Sequence, residues 1–339
     1  MGNSVENLLV TRQEMLDRAA GILEKVGTPR VDARSVAESL VQAQEAGHAS
    51  HGVIRLVEYI SFVKNGTVIP NAAPEVHSDR GASVVVEGNW GWGPVACKFA
   101  LEIAKRKIKD LGTVSIAVRH VNHIGRLGEY VEELAELGLV SLMWCNSDPS
   151  VAAFGGKERL FGTNPFAAGI PTTDSPIVID FATAASAEGK LRVARANNQN
   201  IGAGIVIDKD GKESLDPQSF YDGGSLLPFG GHKGYCMSLM IELLGGAISG
   251  GHPSTSTRFT RGNGTVLIVM DPEFFVPKES FEKDISESIS KIRNTPPIKA
   301  DSPVMLPGDV ENFQRRKNQP EITISKAIWE SILELEESI

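Results

Sequence analysis

The hydrophobic rhythm of this chain changes near residue 75, and that change limits the folds open to it. Over the first 64 residues apolar side chains recur three and four apart, which is the period of amphipathic helices. Thr11-Arg12-Gln13-Glu14 forms a capping-box pattern ahead of Met15, Ala19, Ile22, Leu23 and Val26, and Gly27 stops that helix. A second helix fits 31–46, with Val36, Leu40 and Val41 on one face and Gly47 at its end. A third fits 52–64, closed by Asn65-Gly66. Beyond residue 75, strand-like runs appear at 82–87, 114–118, 139–145, 177–180, 204–207 and 265–270. Helical stretches stand between some of them, at about 94–109, 126–137 and 232–248, and charged helices follow at about 279–292 and 323–338. The chain is therefore a mixed α/β protein with a helical N-terminal part. Its strands and helices alternate too irregularly for a doubly wound parallel sheet.

Charge and cysteine content narrow the function. The 42 acidic and 34 basic residues leave a net charge of −8 without a long basic run, so the electrostatic footprint of nucleic-acid or anionic-membrane binding is missing. Cys97, Cys145 and Cys236 are odd in number and far apart, which suggests neither a disulfide framework nor a cysteine zinc site. The N-terminus is polar and mixed in charge, unlike a signal peptide, and Glu6 stands where a myristoylation signal needs Ser or Thr. No apolar run reaches the length of a membrane span. A reduced, cytoplasmic protein is expected.

The common nucleotide and hydrolase fingerprints are also missing. No G-x-G-x-x-G follows a strand and opens a helix, and there is no P-loop, G-x-S-x-G elbow or H-E-x-x-H. The histidines are more informative. Of seven, four fall in two segments, EAGHASHGVIRLVEY (45–59) and RHVNHIGRLGEY (119–130), each with an arginine close behind. Three readings compete. The pairs His48/His51 and His120/His123, spaced to share a helix face, can serve a metal-dependent hydrolase or lyase, although no Asp or Glu stands between the histidines of either pair. They can be helix-end histidines without chemistry. Or they form a proton-transfer site: the planar fork of Arg55 suits bidentate capture of a carboxylate, and the imidazole of His123 suits proton exchange with the oxygen on the neighbouring carbon. That pair recognises a 2-hydroxy acid, whose oxidation then needs a hydride acceptor.

Six segments in order carry a resemblance: Ser50-His51-Gly52-Val53-Ile54-Arg55, Asn122-His123-Ile124-Gly125, Phe161-Gly162-Thr163-Asn164-Pro165, Asp180-Phe181-Ala182-Thr183, Gly231-His232-Lys233-Gly234-Tyr235 and Leu306-Pro307-Gly308-Asp309. Over about residues 10–330 the chain resembles the type-2, non-Rossmann malate/L-lactate dehydrogenase family. That family includes malate, sulfolactate, ureidoglycolate, 2,3-diketogulonate and hydroxycarboxylate dehydrogenases and piperideine-2-carboxylate reductase. The run HIGRLGEY is most similar to the hydroxycarboxylate dehydrogenase branch.

The resemblance implies a helical bundle packed against a domain with a large mixed or mostly antiparallel sheet. The expected division is 1–76 as the helical domain, joined by about 228–253 and 295–339, with 77–294 as the cofactor-binding domain. It also implies that His123 is the general acid/base, that Ser50, His51 and Arg55 shape the substrate pocket, and that Arg55 clamps the carboxylate. The implied cofactor is NAD or NADP; no residue can be assigned to the 2′-position, and NAD is favoured. Its matching contacts are Ser147, Asp180, Phe181, Ala182, Lys233, Pro307, Gly308 and Asp309, with no metal. Lys233 offers a charge for a phosphate or a donor for a ribose, and Gly308 a close backbone approach. Asn164-Pro165 would fix a pocket wall. Plainer roles exist for Asp180, as a helix cap, and for Lys233, as a surface residue. The chain departs from many relatives in having Ile124 after the histidine, and Arg126 is either a second cation near the substrate or a solvated helix residue. A homodimer sharing its active site between subunits is implied, with a small 2-hydroxy or 2-oxo acid as substrate. A dinucleotide-binding protein without catalysis is a further alternative, opposed by the presence of both His123 and Arg55.

Overall fold

The computed structural model describes residues 6–339. The Met1-Gly2 start considered for lipidation lies outside the described residues. The chain runs β1 (Asn7–Thr11), α1 (Arg12–Lys25), α2 (Arg30–Glu45), a 3-10 turn (Ala49–His51), α3 (Arg55–Lys64), β2 (Glu75–Arg80), β3 (Ser83–Glu87), α4 (Gly93–Leu111), β4 (Thr113–Val121), α5 (Leu127–Glu136), β5 (Val140–Cys145), β6 (Val151–Ala152), β7 (Arg159–Phe161), β8 (Phe166–Ile170) and β9 (Ile177–Phe181). It continues with α6 (Glu188–Ala196), β10 (Val206–Ile207), β11 (Glu213–Ser214), α7 (Gln218–Tyr221), β12 (Ser225–Leu226), α8 (His232–Leu243) with a π-turn (Leu244–Ile248), β13 (Asn263–Met270), α9 (Lys278–Arg293), α10 (Asp309–Lys317), β14 (Glu321–Ser325) and α11 (Lys326–Glu337).

A seven-stranded sheet in the order β2-β3-β4-β13-β5-β8-β9 is the scaffold. Every neighbouring pair is antiparallel except β3 and β4, which α4 joins as a crossover. The sheet is buried on both faces, and the strand period of two shows it. Val114, Ile116 and Val118 of β4, with Leu267 and Val269 of β13, face α4 and α5 in the largest core. Ala117 and Val266, alternating with them, pack with Trp144 against Ile241 of α8. The segment 228–253, expected beside the N-terminal helices, therefore packs on the sheet instead. The apolar residues Met237, Ile241 and Leu244 find their partners there.

The helical layer is α1, α2, α3 and α11 around Leu16, Leu23, Leu40, Leu56 and Trp329. Thr11 caps α1 by accepting the Glu14 N–H at 3.2 Å, as the capping pattern predicts. The expected helix over 323–338 starts only at Lys326. Residues ahead of it form β14, which pairs antiparallel with β1 from the other end of the chain and buries Ile322 and Ile324 against α1 and α2. A small sheet, β11-β10-β12-β6-β7, forms a third core with Leu191 of α6.

Candidate active site

The site grows from two loops tied to the scaffold. The first is the 3-10 turn between α2 and α3. There the Ser50 hydroxyl and His51 Nδ1 lie 3.1 Å apart, and Arg55, at the start of α3, donates from Nε to the Ser50 carbonyl at 2.7 Å. Another guanidinium nitrogen of Arg55 pairs with Glu58. The second is the Asn122-His123-Ile124-Gly125 loop between β4 and α5. Asn122 anchors it by donating to the Thr67 carbonyl at 2.9 Å. Gly125 turns it with φ 78°, where a side chain would also crowd the Ser39 hydroxyl at 2.9 Å.

These loops bring the two imidazoles together. The His51 and His123 rings stack with centroids 5.4 Å apart. His123 Nδ1 sits 2.8 Å from the Tyr59 hydroxyl and accepts the Gly125 N–H at 3.3 Å. Both rings are held neutral. Burial lowers His51 to about 3, helped by the nearby charges of Arg55, His48 and Arg126. Burial also lowers His123 well below the ordinary histidine value, with Arg55 and His51 adding to it.

Ser50, His51, Arg55, His123, Ser147, Asp180, Phe181 and Ala182 all line one cleft of about 430 Å³, together with Thr163, Pro165, Leu127 and residues 184–190. Pro165 is thus a wall residue, as the x-Pro segment suggests. Its neighbour Asn164 is fully buried with φ 38° and donates to Glu242 at 2.9 Å and to the Ser238 carbonyl at 3.1 Å.

Other expected residues lie elsewhere. Lys233 is exposed in the first turn of α8, outside the cleft lining of the chain. Pro307 accepts the Val178 N–H at 3.2 Å and so closes the free edge of β9. Gly308, with φ 97°, starts α10. Asp309 is committed to Arg293 through two contacts of 2.9 Å and to the Leu306 N–H. Asp180 does act as a helix cap, but for α5 rather than a helix of its own, accepting the Gly128 N–H at 2.8 Å. Burial raises its pKa, opposed first by Arg126.

Arg126 is not solvated, and Nη2 makes one long hydrogen bond, to the Glu132 carboxylate. It is 4% exposed, 3.8 Å from Asp180 and 3.5 Å from Glu132, and its Nε has no partner. Ile124 faces the main core rather than the cleft, so the departure at that position is a packing change.

The histidines form no metal set. His120 belongs to β4, where it pairs with Glu87 at 2.7 Å, and His48 pairs with Glu311 at 3.1 Å. Neither pair lies on a helix face, and no group of metal-ligating side chains occurs among the described residues. Tyr59 is the site residue that sequence reasoning missed. Its signal was its place one helical turn beyond Arg55.

The fold is a non-Rossmann α/β architecture, and its cleft gathers two imidazoles and a guanidinium on one wall. The model of the malate/L-lactate dehydrogenase family matches residues 10–333, and the chain belongs to that family. L-sulfolactate dehydrogenase of Methanocaldococcus jannaschii is 34% identical over 320 residues, 93% of this chain and 92% of that one. Hydroxycarboxylate dehydrogenase B of Escherichia coli K12 is 32% identical over 322 residues, 92% of this chain and 89% of that one. The solved sulfolactate dehydrogenase of M. jannaschii superposes with a TM-score of 0.90 at 32% identity, covering 98% of this chain and 97% of that one. The protein is a hydroxyacid dehydrogenase acting on small hydroxy acids.

Proposed function

We propose that the protein transfers a hydride between a nicotinamide dinucleotide and the 2-carbon of a small 2-hydroxy or 2-oxo acid. His123 is its general acid/base and Arg55 its carboxylate clamp. The observation that carries this reading is the joint exposure of His123, His51 and Arg55 to one cleft. The rest of the cleft fits the cofactor. Helix α6 opens against it without a side-chain cap at Ala187, leaving a helix N-terminus suited to phosphate, and a Cβ on Gly189 would press on Ser50 at 3.1 Å. Ser147, Phe181, Ala182 and the 187–190 turn would hold the dinucleotide, and Asp180 supports that wall through α5. Lys233 and 307–309 carry no part of the proposal, because they lie outside the cleft. When bound, the nicotinamide supplies or accepts the hydride.

Arg55 holds the carboxylate so that the adjacent oxygen meets His123. Arg55 also lowers the basicity of His123. A bound carboxylate cancels that charge, so substrate itself makes the imidazole a better base. In oxidation the hydroxyl proton passes to His123; in reduction it returns to the new hydroxyl oxygen. His51, stacked on His123 and neutral, limits water beside the reacting oxygen without competing for its proton.

We also propose NAD as the favoured cofactor, a cytoplasmic location and a homodimer, the last to be checked by light scattering. No helix among the described residues is long and apolar enough to cross a membrane. A screen of 2-oxo acids with NADH and NADPH, followed by absorbance, tests the reaction. His123→Asn should lose about 10²–10⁴-fold in turnover while retaining NADH binding. Arg55→Ala should raise substrate KM with little change in cofactor affinity. Wild-type turnover in the first variant would refute the acid/base role, and an unchanged KM in the second would remove the clamp.

A further inference from the structure

Building on the acid/base reading of His123, we infer that Tyr59 is a positioning residue whose hydroxyl lets the His123 ring carry its proton on Nδ1, the state that catalysis needs. The geometry is specific. His123 Nδ1 meets two groups: the Gly125 N–H at 3.3 Å and the Tyr59 hydroxyl at 2.8 Å. A backbone N–H can only donate, so by itself it holds Nδ1 bare and places the ring proton on Nε2. A phenol hydroxyl both donates and accepts. To take a proton from a substrate hydroxyl, Nε2 must be bare and Nδ1 must carry hydrogen. To give one back, both nitrogens must carry hydrogen. In both states Nδ1 is a donor, and Tyr59 is the acceptor within reach.

The surroundings equip Tyr59 for this. Its ring is buried, 2% exposed, and packs on Trp92 with centroids 5.5 Å apart. Burial raises its ionisation well above that of an ordinary phenol, so it remains a neutral hydroxyl. Among the described residues its one hydrogen-bond partner is His123 Nδ1. The hydroxyl can therefore rotate between its two roles without breaking another bond. No proton leaves Tyr59: rotation switches it from donor to acceptor as the ring changes state. Because Tyr59 and Arg55 are one turn apart on α3, the same helix that clamps the carboxylate also aims the imidazole.

The test is ¹⁵N NMR of histidine-labelled protein combined with kinetics of Tyr59→Phe. The His123 signals are assigned by their loss in His123→Asn. Wild type is expected to give ¹⁵N shifts between those of the two tautomers. Tyr59→Phe is expected to give the pure Nε2–H pattern, with kcat lowered about 10- to 100-fold and KM for substrate and cofactor little changed. The variant keeps the ring that packs on Trp92, and a thermal melt checks its fold. Wild-type kcat, or an unchanged ¹⁵N pattern, overturns the inference. If the variant does not fold, the wild-type spectrum decides: intermediate shifts support the inference and a pure Nε2–H pattern overturns it. Turnover retained in His123→Asn sinks the acid/base reading itself. An inactive His123→Asn beside a fully active Tyr59→Phe sinks only the role of Tyr59.

Discussion

His51 illustrates how a single buried side chain links site chemistry to stability. Its folded-state pKa, about 3, lies far below the ordinary histidine value of about 6.5. Between those values the unfolded chain binds a proton at this position and the folded chain does not. Stability therefore falls as pH drops through that window. Urea midpoints of wild type and His51→Gln, compared between about pH 7 and about pH 4.5, should show a smaller acid-induced loss in the variant. Equal losses would mean that His51 is not held neutral. Asp180 and Glu129, whose pKa values burial raises, act with the opposite sign. Both are present in the two proteins, so their effect cancels in the comparison. Arg126 shows what sequence at this scale leaves open. Of the two readings, the solvated helix residue is excluded: Arg126 is a buried guanidinium on the cleft wall, because the turn before α5 folds it over Gly128.

At the scale of elements, the site depends on close contacts between backbones. Helix α4 begins at Gly93, and a Cβ there would come within 2.5 Å of the His123 carbonyl oxygen and 2.7 Å of that of Asn122. Neither contact can be relieved by rotating a side chain. Gly93→Ala should therefore cost about 1–3 kcal/mol of stability. Because the shift falls on the loop that bears the proposed acid/base, His123, it should lower kcat more than it raises KM. Calorimetry and steady-state kinetics check this, and a variant with wild-type melting and turnover would show that the loop yields freely. Helices α1 and α2 were readable from period and, for α1, from its cap, and α4 and α5 as helical stretches between strands. The strands β1, β2, β8 and β14 were not. They are short, and what stabilises them is a partner strand rather than their own residues: Leu8 and Val10 pair with Ile324 and Ile322, more than 300 positions along the chain.

Over the whole molecule, the two ends of the chain close the helical layer. Ile322 and Ile324 of β14 and Trp329 and Ile332 of α11 are buried among the residues of α1 to α3. Each such side chain contributes about 1.5–3 kcal/mol, and together they are comparable with the ~5–15 kcal/mol stability of a typical domain. Removal of residues 321–339 should abolish the cooperative thermal transition, measured by circular dichroism. A truncated chain that still melts cooperatively near the wild-type temperature would show that the layer is complete without them. The same closure places α3, and with it Arg55 and Tyr59, against the loop that bears His123.

Residue types and their order determined the family and the mixed α/β class, and they singled out His123 and Arg55 as the residues proposed for proton transfer and carboxylate binding. Those are local properties: an imidazole, a guanidinium and a helix period are present in the chain whatever it folds into. Tertiary structure alone decided which of the candidates share a cleft, since that depends on contacts between segments far apart in sequence. It set Lys233 and Asp309 outside the cleft, turned Asp180 into the cap of α5, and separated His120 from His123. It also put the Tyr59 hydroxyl on Nδ1 of His123 across an interval of 64 residues. No local pattern encodes that last contact, because it exists only once α3 and the loop after β4 are packed together.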